Sequence, residues 1–521
     1  MISRFKRLGW LFAAVAALLS CDLGPVDYSR FERRTVEENL VVIDSAGSIY
    51  DALVGVAGID AAAESARAFL ITQPGVERAG IAADSTVWAL FESGLLAGCG
   101  DDTLPSDSGG RQGLTTSSIR SGGEVGDFAH FVLPHTEGLP ATEWSADSVE
   151  KILKRRLVGG NSEMIEDEDV TLGAALGAIR PGTAVLVWSG HGTLVWFQDG
   201  EPCVPGICLG ESFLYRALAD NAVSRWSQYF KPGQGELHQV AVKRNSRGRY
   251  RIVILPEFVR ANGEFDGSEQ LPTNESKTLV SLGTCFGGYN FDQRNSFPQA
   301  FRDAGADFVS AYDWAVTSWW AAQNDIIFFT AMADTCFPME AVRWLGGSVD
   351  PIRHRGRYAQ YRWVGDTLVL LRSVLDARKQ GTLLRSSPGA RAEMYVPQLT
   401  KYYCWVRQDG QFEEAAYVTV MFPTTEPGSF DLSSTSASLR WDDLGTGRSY
   451  SAQAGYIGTS GTLNVERCGD SLLVAHFDAK LGWWDAGKSP YVDPPDDTFS
   501  LCEGVLKYSG KITRYGLGTG H

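Results

Sequence analysis

The sequence predicts an α/β protein with a mostly parallel sheet flanked by helices, preceded by a small α+β module and followed by an all-β sandwich or barrel. Three observations carry this. Buried apolar strands alternate with helices from Phe128 to Leu371, an Ala-rich helix and a hairpin precede them, and short strands separated by Gly, Asp, Ser and Pro follow beyond Tyr402. A length of 521 residues fits about three domains. The composition, 44% hydrophobic and 21% charged, is that of folded protein; it excludes wholesale disorder and a polytopic membrane protein. With 47 Lys and Arg against 62 Asp and Glu, the formal charge of −15 repels phosphate backbones, so nucleic acid is not an expected partner.

The first twenty residues read as an address. Arg4, Lys6 and Arg7 precede an apolar run from Leu8 to Leu19, then come Ser20 and Cys21. That run is shorter than the ~20 residues of a spanning helix and suits a secretory signal core. Leu18-Leu19-Ser20-Cys21 resembles the bacterial lipobox, which implies that residues 1–20 are removed and Cys21 is lipidated, anchoring the chain to a membrane of the bacterial cell envelope. The bland alternative is a plain signal peptide with an incidental Cys. Eight cysteines follow Cys21 in a compartment that permits disulfides, and Cys203 and Cys208 flank a short loop that a disulfide could close.

Residues 21–97 form the α+β module, a candidate prodomain. Within it, Asp60 to Phe69 is a helix, and Val76 to Ala82 with Thr86 to Phe91 is a hairpin turning at Asp84-Ser85. Residues 98–127, rich in Gly, Ser, Asp and Thr and containing Arg111 and Arg120, read as a linker. Residues 128–400 hold the α/β domain. Its strands are Phe128 to Leu133, Ala184 to Trp188, Thr278 to Leu282, Asp307 to Ala311 and Thr367 to Leu371, with helices at Ser148 to Leu157, Leu172 to Ile179, Phe297 to Ala304 and Ser318 to Ala333. Leu237 to Arg244 and Arg249 to Leu255 read as an inserted hairpin. Residues 401–521 form the β-domain.

Two strand ends carry chemistry. Val185-Leu186-Val187-Trp188-Ser189-Gly190-His191-Gly192 and Thr278-Leu279-Val280-Ser281-Leu282-Gly283-Thr284-Cys285 each place a reactive side chain just past a buried strand, the edge of a parallel sheet where active sites form. A His and a Cys on neighbouring strand ends make a base-and-nucleophile pair. Each residue alone is more often structural, since buried Cys is common and His-Gly is an ordinary strand exit.

These motifs, with the following Phe286-Gly287-Gly288-Tyr289-Asn290 and the Gly305-Ala306 strand behind them, resemble the caspase-like peptidases: caspases, gingipains, clostripain and CHAT domains. The resemblance spans Phe128 to Arg372 and is nearest to the gingipain-like and CHAT-like members. Trp363-Val364-Gly365-Asp366-Thr367-Leu368 resembles their Gly-Asp-Pro-x-Leu strand, with Thr367 in place of Pro. It implies a cysteine endopeptidase working through a thioacyl-enzyme, with Cys285 as nucleophile, His191 as acid/base, and backbone N–H groups of Gly192 and Cys285 as the oxyanion hole. The substrate would be a peptide or protein. Asp313, with Trp314 beside it, is a candidate pocket residue selecting Arg or Lys, against the plainer reading of a cap or surface acid. The rival function is a non-catalytic caspase-like envelope protein that binds a protein or glycan.

Other motifs are discounted on physical grounds. Gly482-Trp483-Trp484-Asp485-Ala486-Gly487-Lys488-Ser489 matches a phosphate loop in letters, but Pro490 disfavours the helix such a loop must open. No metal site or cofactor is expected. The acidic runs Glu166 to Asp169 and Asp493 to Asp497 have ligands suited to calcium, yet solvated turns account for them. Trp319-Trp320 is expected in the core.

Overall fold

The computed structural model describes residues 32–100, 128–156, 161–198, 201–230, 238–265, 278–333, 338–345 and 349–365. In the C-terminal part it describes 374–379, 382–386, 391–394, 400–408, 414–422, 427–434, 437–444, 446–468, 472–509 and 513–514. Cys21, Arg111, Arg120 and the strand expected at Thr367 to Leu371 lie outside the described residues.

The chain opens with helices α1 (Arg33–Ala57) and α2 (Ile59–Ile71), then strands β1 (Val76–Ile81), β2 (Val87–Phe91) and β3 (Leu96–Cys99). Next come β4 (Phe128–Leu133), α3 (Pro140–Arg156), β5 (Asn161–Glu166), α4 (Leu172–Ala178), β6 (Thr183–Gly190), β7 (Gly192–Val195) and β8 (Val204–Phe213). Helices α5 (Tyr215–Ser224) and α6 (Ser227–Phe230) lead to β9 (Val240–Arg244), β10 (Tyr250–Ile254) and α7 (Pro256–Asn262). The series closes with β11 (Leu279–Thr284), α8 (Phe297–Asp303), β12 (Phe308–Tyr312), α9 (Ser318–Ala333), α10 (Pro338–Trp344), β13 (Val349–His354) and β14 (Arg357–Gly365).

Two seven-stranded sheets result. One runs β13-β14-β12-β11-β6-β4-β5, parallel from β5 through β12, with β14 and β13 antiparallel at the edge. Strand β6, in the middle of the five parallel strands, is buried on both faces, Val185 and Val187 entering one core and Leu186 and Trp188 the other, which explains its unbroken apolar run. The expected α/β class with a mostly parallel, helix-flanked sheet is what forms.

The second sheet departs from the expected domain division. Its order is β1-β2-β3-β9-β10-β8-β7, so strands from the N-terminal 100 residues hydrogen-bond directly to the hairpin β9–β10, β3 and β9 running parallel. The N-terminal segment therefore supplies three of the seven strands of a shared sheet, and Gly98 and Cys99 belong to a strand rather than to the linker. The expected hairpins at Val76 to Phe91 and Leu237 to Leu255 are present, Ser85 taking the left-handed turn conformation at φ 61°.

Helix α1 begins before the segment read as helical. Val36, Leu40, Ile43, Gly47 and Tyr50, spaced three and four apart, bury one face of it. It is long and apolar enough to cross a membrane by length and composition, but here it packs against α2, α5 and β3. Buried Arg244 of β9 locks it in place, donating to Asp44 at 2.7 Å and Asp51 at 2.9 Å.

The β-domain starts earlier than residue 401. Val374–Lys379 and Thr382–Ser386 pair with each other, and respectively with Asp497–Ser509 and Thr400–Gln408. Those pairings, with Glu414–Phe422, Ser438–Asp443, Ser449–Gln453 and Leu472–Trp483 between them, close a ring of eight strands, a barrel rather than a sandwich. Gly482 to Ser489 leaves the end of one of these strands as an irregular turn with no helix behind it, as Pro490 dictates.

Candidate active site

His191 is the single residue between β6 and β7, where the chain passes from one sheet to the other. Parallel pairing sets Gly190 of β6 opposite Thr284 of β11, so the next residues, His191 and Cys285, leave neighbouring strand ends side by side. Both line one cavity of about 650 Å³ at the C-terminal edge of the parallel strands. A β-carbon on Gly192 would stand 1.7 Å from the carbonyl oxygen of Cys285, so only glycine lets the two backbones pass.

The chain turns sharply after Cys285. Phe286 adopts φ 61°, uncommon for a bulky residue, donates its N–H to Trp314 O at 3.1 Å and packs edge-on against the Trp314 ring. This turn puts the thiol inward. Cys285 is 4% exposed, and its Sγ receives the Val316 N–H at 3.4 Å and reaches the Val316 carbonyl at 3.6 Å. Burial pushes the thiol up to about 12, opposed by the Val316 N–H. Thr317 and Ser318, at the start of α9, line the same cavity and bring the positive end of that helix to it. Thr317 is fixed by two hydrogen bonds, from N and Oγ1, to Asp350 Oδ2.

A second histidine, which sequence reasoning passed over, completes the pair. His135 follows β4 at the same sheet edge, and its Nδ1 accepts the His191 backbone N–H at 3.3 Å. The two rings meet edge to face with centroids 4.5 Å apart. His135 is 5% exposed, and burial together with the His191 imidazole pushes it well below the ordinary histidine range, so the ring is neutral. The rule that picked out His191 and Cys285, a reactive side chain just past an apolar strand, also selects His135 after Phe128 to Leu133. Arg251 of β10 and Arg249 just before that strand add cationic lining, Arg249 being braced on Ser212 O at 2.8 Å and Oγ at 2.9 Å.

Other expected residues fall elsewhere. Asp313 and Trp314 do not line this cavity. Asp313 is buried with its carboxylate taken by the Gln360 N–H at 2.8 Å and the Arg357 guanidinium at 3.0 Å, leaving no free acid to select a cationic side chain. Trp314 donates to His354 O at 2.9 Å and carries Arg357 over its ring. Cys203 and Cys208 are not joined in a disulfide. They lie along the extended chain entering and forming β8, where five residues at ~3.3 Å each separate them by about 16 Å, beyond disulfide reach. Trp319 is 40% exposed rather than core and meets Trp144 of α3, 44% exposed, at 5.5 Å, because it sits on the outer side of the first turn of α9. The acidic runs are tied into turns: Asp167 accepts from Thr136 N and Oγ1, and Asp493 from Ser489 N.

No family model and no curated protein matches the chain. Among solved structures it is similar to the complex of Porphyromonas gingivalis RgpB pro- and mature domains, with 11% identity and a TM-score of 0.27 over 58% of this chain and 66% of that one. It is also similar to the Arg-specific cysteine proteinase gingipain R (RgpB), with 10% identity and a TM-score of 0.27 over 58% of this chain and 65% of that one. At that distance the function has to be argued from the site itself.

Proposed function

We propose that this chain is a cysteine endopeptidase of caspase-like type, with Cys285 as nucleophile and His191 as acid/base. One observation supports the reading above others: the two residues follow directly paired positions of adjacent parallel strands and open on one cavity. The described conformation is a resting one, because a thiol held near 12 is not a nucleophile at neutral pH. Reaction requires Sγ to leave the Val316 carbonyl and give its proton to His191, the Val316 N–H and the start of α9 then steadying the sulfur anion. The thiolate attacks the peptide carbonyl, the N–H groups of Gly192 and Cys285 take the developing oxyanion, and His191 protonates the departing amine. Water, deprotonated by His191, then splits the thioester and restores the thiol. Lipid anchoring through Cys21 to the bacterial envelope belongs to the same proposal and rests on the N-terminal sequence.

The burial of Cys285 favours a second reading, a non-catalytic envelope protein that binds a protein or glycan partner through this cavity. Peptide-library cleavage by the mature protein beside its Cys285→Ala variant separates the two. Cleavage that disappears in Cys285→Ala supports the peptidase; a wild-type protein that cuts nothing between pH 5 and 9 leaves the binding reading.

A further inference from the structure

We propose that His135 is a working part of this site: a neutral imidazole that gives its Nε2–H to a carbonyl oxygen of the bound peptide while its Nδ1 holds the backbone of His191. The inference rests on the peptidase reading for the identity of its ligand, but the donor itself follows from the geometry of the ring. Nδ1 accepts the His191 N–H, and a ring nitrogen that accepts carries no proton, so the single proton of the neutral ring is on Nε2. Nε2 is buried and meets no hydrogen-bond partner among the described residues. A buried donor left unpaired is rare in folded proteins and is open to a partner entering the cavity.

The surroundings hold this donor in place. The carbonyl of His135 accepts from Leu139 N at 2.9 Å, closing the turn that leads into α3. Gly190 makes room for the ring: a β-carbon there would come within 3.2 Å of His135 Nδ1 and 2.6 Å of Pro134 Cγ. His135 lines the same cavity as Cys285 and His191. The Nε2 of His354, also buried and without a hydrogen-bond partner among the described residues, belongs to a residue lining that cavity too, so the space suits a polar guest. A group fitted to an N–H donor is a hydrogen-bond acceptor, and the peptide carbonyl supplies one in the proposed substrate.

Two measurements on the full-length protein test this. In ¹⁵N-histidine-labelled protein, long-range proton–nitrogen spectra should show His135, assigned by its loss in His135→Phe, as the Nε2–H tautomer at pH 7; an Nδ1–H tautomer or a doubly protonated ring overturns the proposal. With a peptide that the wild type cleaves, His135→Phe should lower kcat/KM about tenfold, the worth of one neutral hydrogen bond, and His135→Gln, which keeps an N–H donor, should restore most of it. Unchanged kcat/KM in His135→Phe, or equal loss in a folded His135→Gln, overturns it. If the wild type cleaves nothing, the peptidase reading fails separately, and the donor is judged with iodoacetamide as probe. Once peptide mapping shows Cys285 alkylated, by treatment at about pH 10, the carboxamidomethyl carbonyl left on it should shift the His135 Nε2 resonance, and an unmoved resonance in that protein overturns the proposal.

Discussion

Gly192 and Cys285 interlock: the missing side chain of the first leaves the space that the carbonyl oxygen of the second fills, 1.7 Å from where a β-carbon would be. This contact welds the crossing between the two sheets to the turn that carries the thiol. Gly192→Ala should therefore force the backbones apart and lower stability by about 3 kcal/mol, read as a fall in the urea midpoint. Gly177→Ala, at a position where a β-carbon meets nothing, should leave it in place or raise it slightly.

Alkylation of Cys285 should be slow at neutral pH and climb about tenfold per pH unit from 7 to 10 without a plateau, because burial holds the thiol near 12. The exposed Cys502 should react first. A Cys285 already poised as a thiolate would show the opposite order, reacting before the other thiols near pH 7. Peptide mapping of iodoacetamide-treated protein checks the order, and a plateau for Cys285 near pH 7 would reveal an open conformer in which the thiolate is already favoured.

Asp325 of α9 is buried behind β11, its one hydrogen bond among the described residues coming from the Ser281 hydroxyl at 2.8 Å, and burial raises its carboxyl to about 7. The folded state then keeps a proton that the unfolded chain releases near 4, so stability should fall as pH rises from about 4 to about 7 and level off above. Asp325→Asn, which stays neutral, should flatten that slope and be the more stable protein at pH 8. Urea titrations of both proteins at pH 5 and pH 8 decide it.

Arg244 joins α1 to β9 through two carboxylates, and Gly47 leaves the space its guanidinium occupies, a β-carbon there coming within 2.4 Å of Nη1. Removing the cation leaves Asp44 and Asp51 facing one another across an empty space. Arg244→Ala should cost about 2 kcal/mol, less than a fully buried pair because both acids are partly exposed. Gly47→Ala should act in the same direction by displacing the same side chain, both seen as lowered Tm.

The parallel sheet was legible because burial on both faces writes itself as an unbroken apolar run, as in Thr183–Gly190 and Leu279–Thr284. Helix Ser318–Ala333 was legible for the same reason, end to end. The pairing of β3 with β9 was not, since nothing local marks which of two strands some 140 residues apart will meet. Helix α1 hid because its buried face includes Asn39 and Gly47, which weaken the apolar stripe. In the site, strand-end logic placed His191 and Cys285 together. It could not foresee the inward turn at Phe286, because a left-handed Phe is set by packing on Trp314 rather than by propensity. Asp313 misled for a related reason: its partners Arg357 and Gln360 come from a later strand.

The parallel seam between Leu96–Cys99 and Val240–Arg244 has a bearing on maturation. A protease that cut anywhere between residues 100 and 128 would sever the polypeptide without freeing either piece, since each contributes strands that the other completes. Processing there would yield a nicked heterodimer that co-purifies under native conditions and separates only in denaturant, with no propeptide shed.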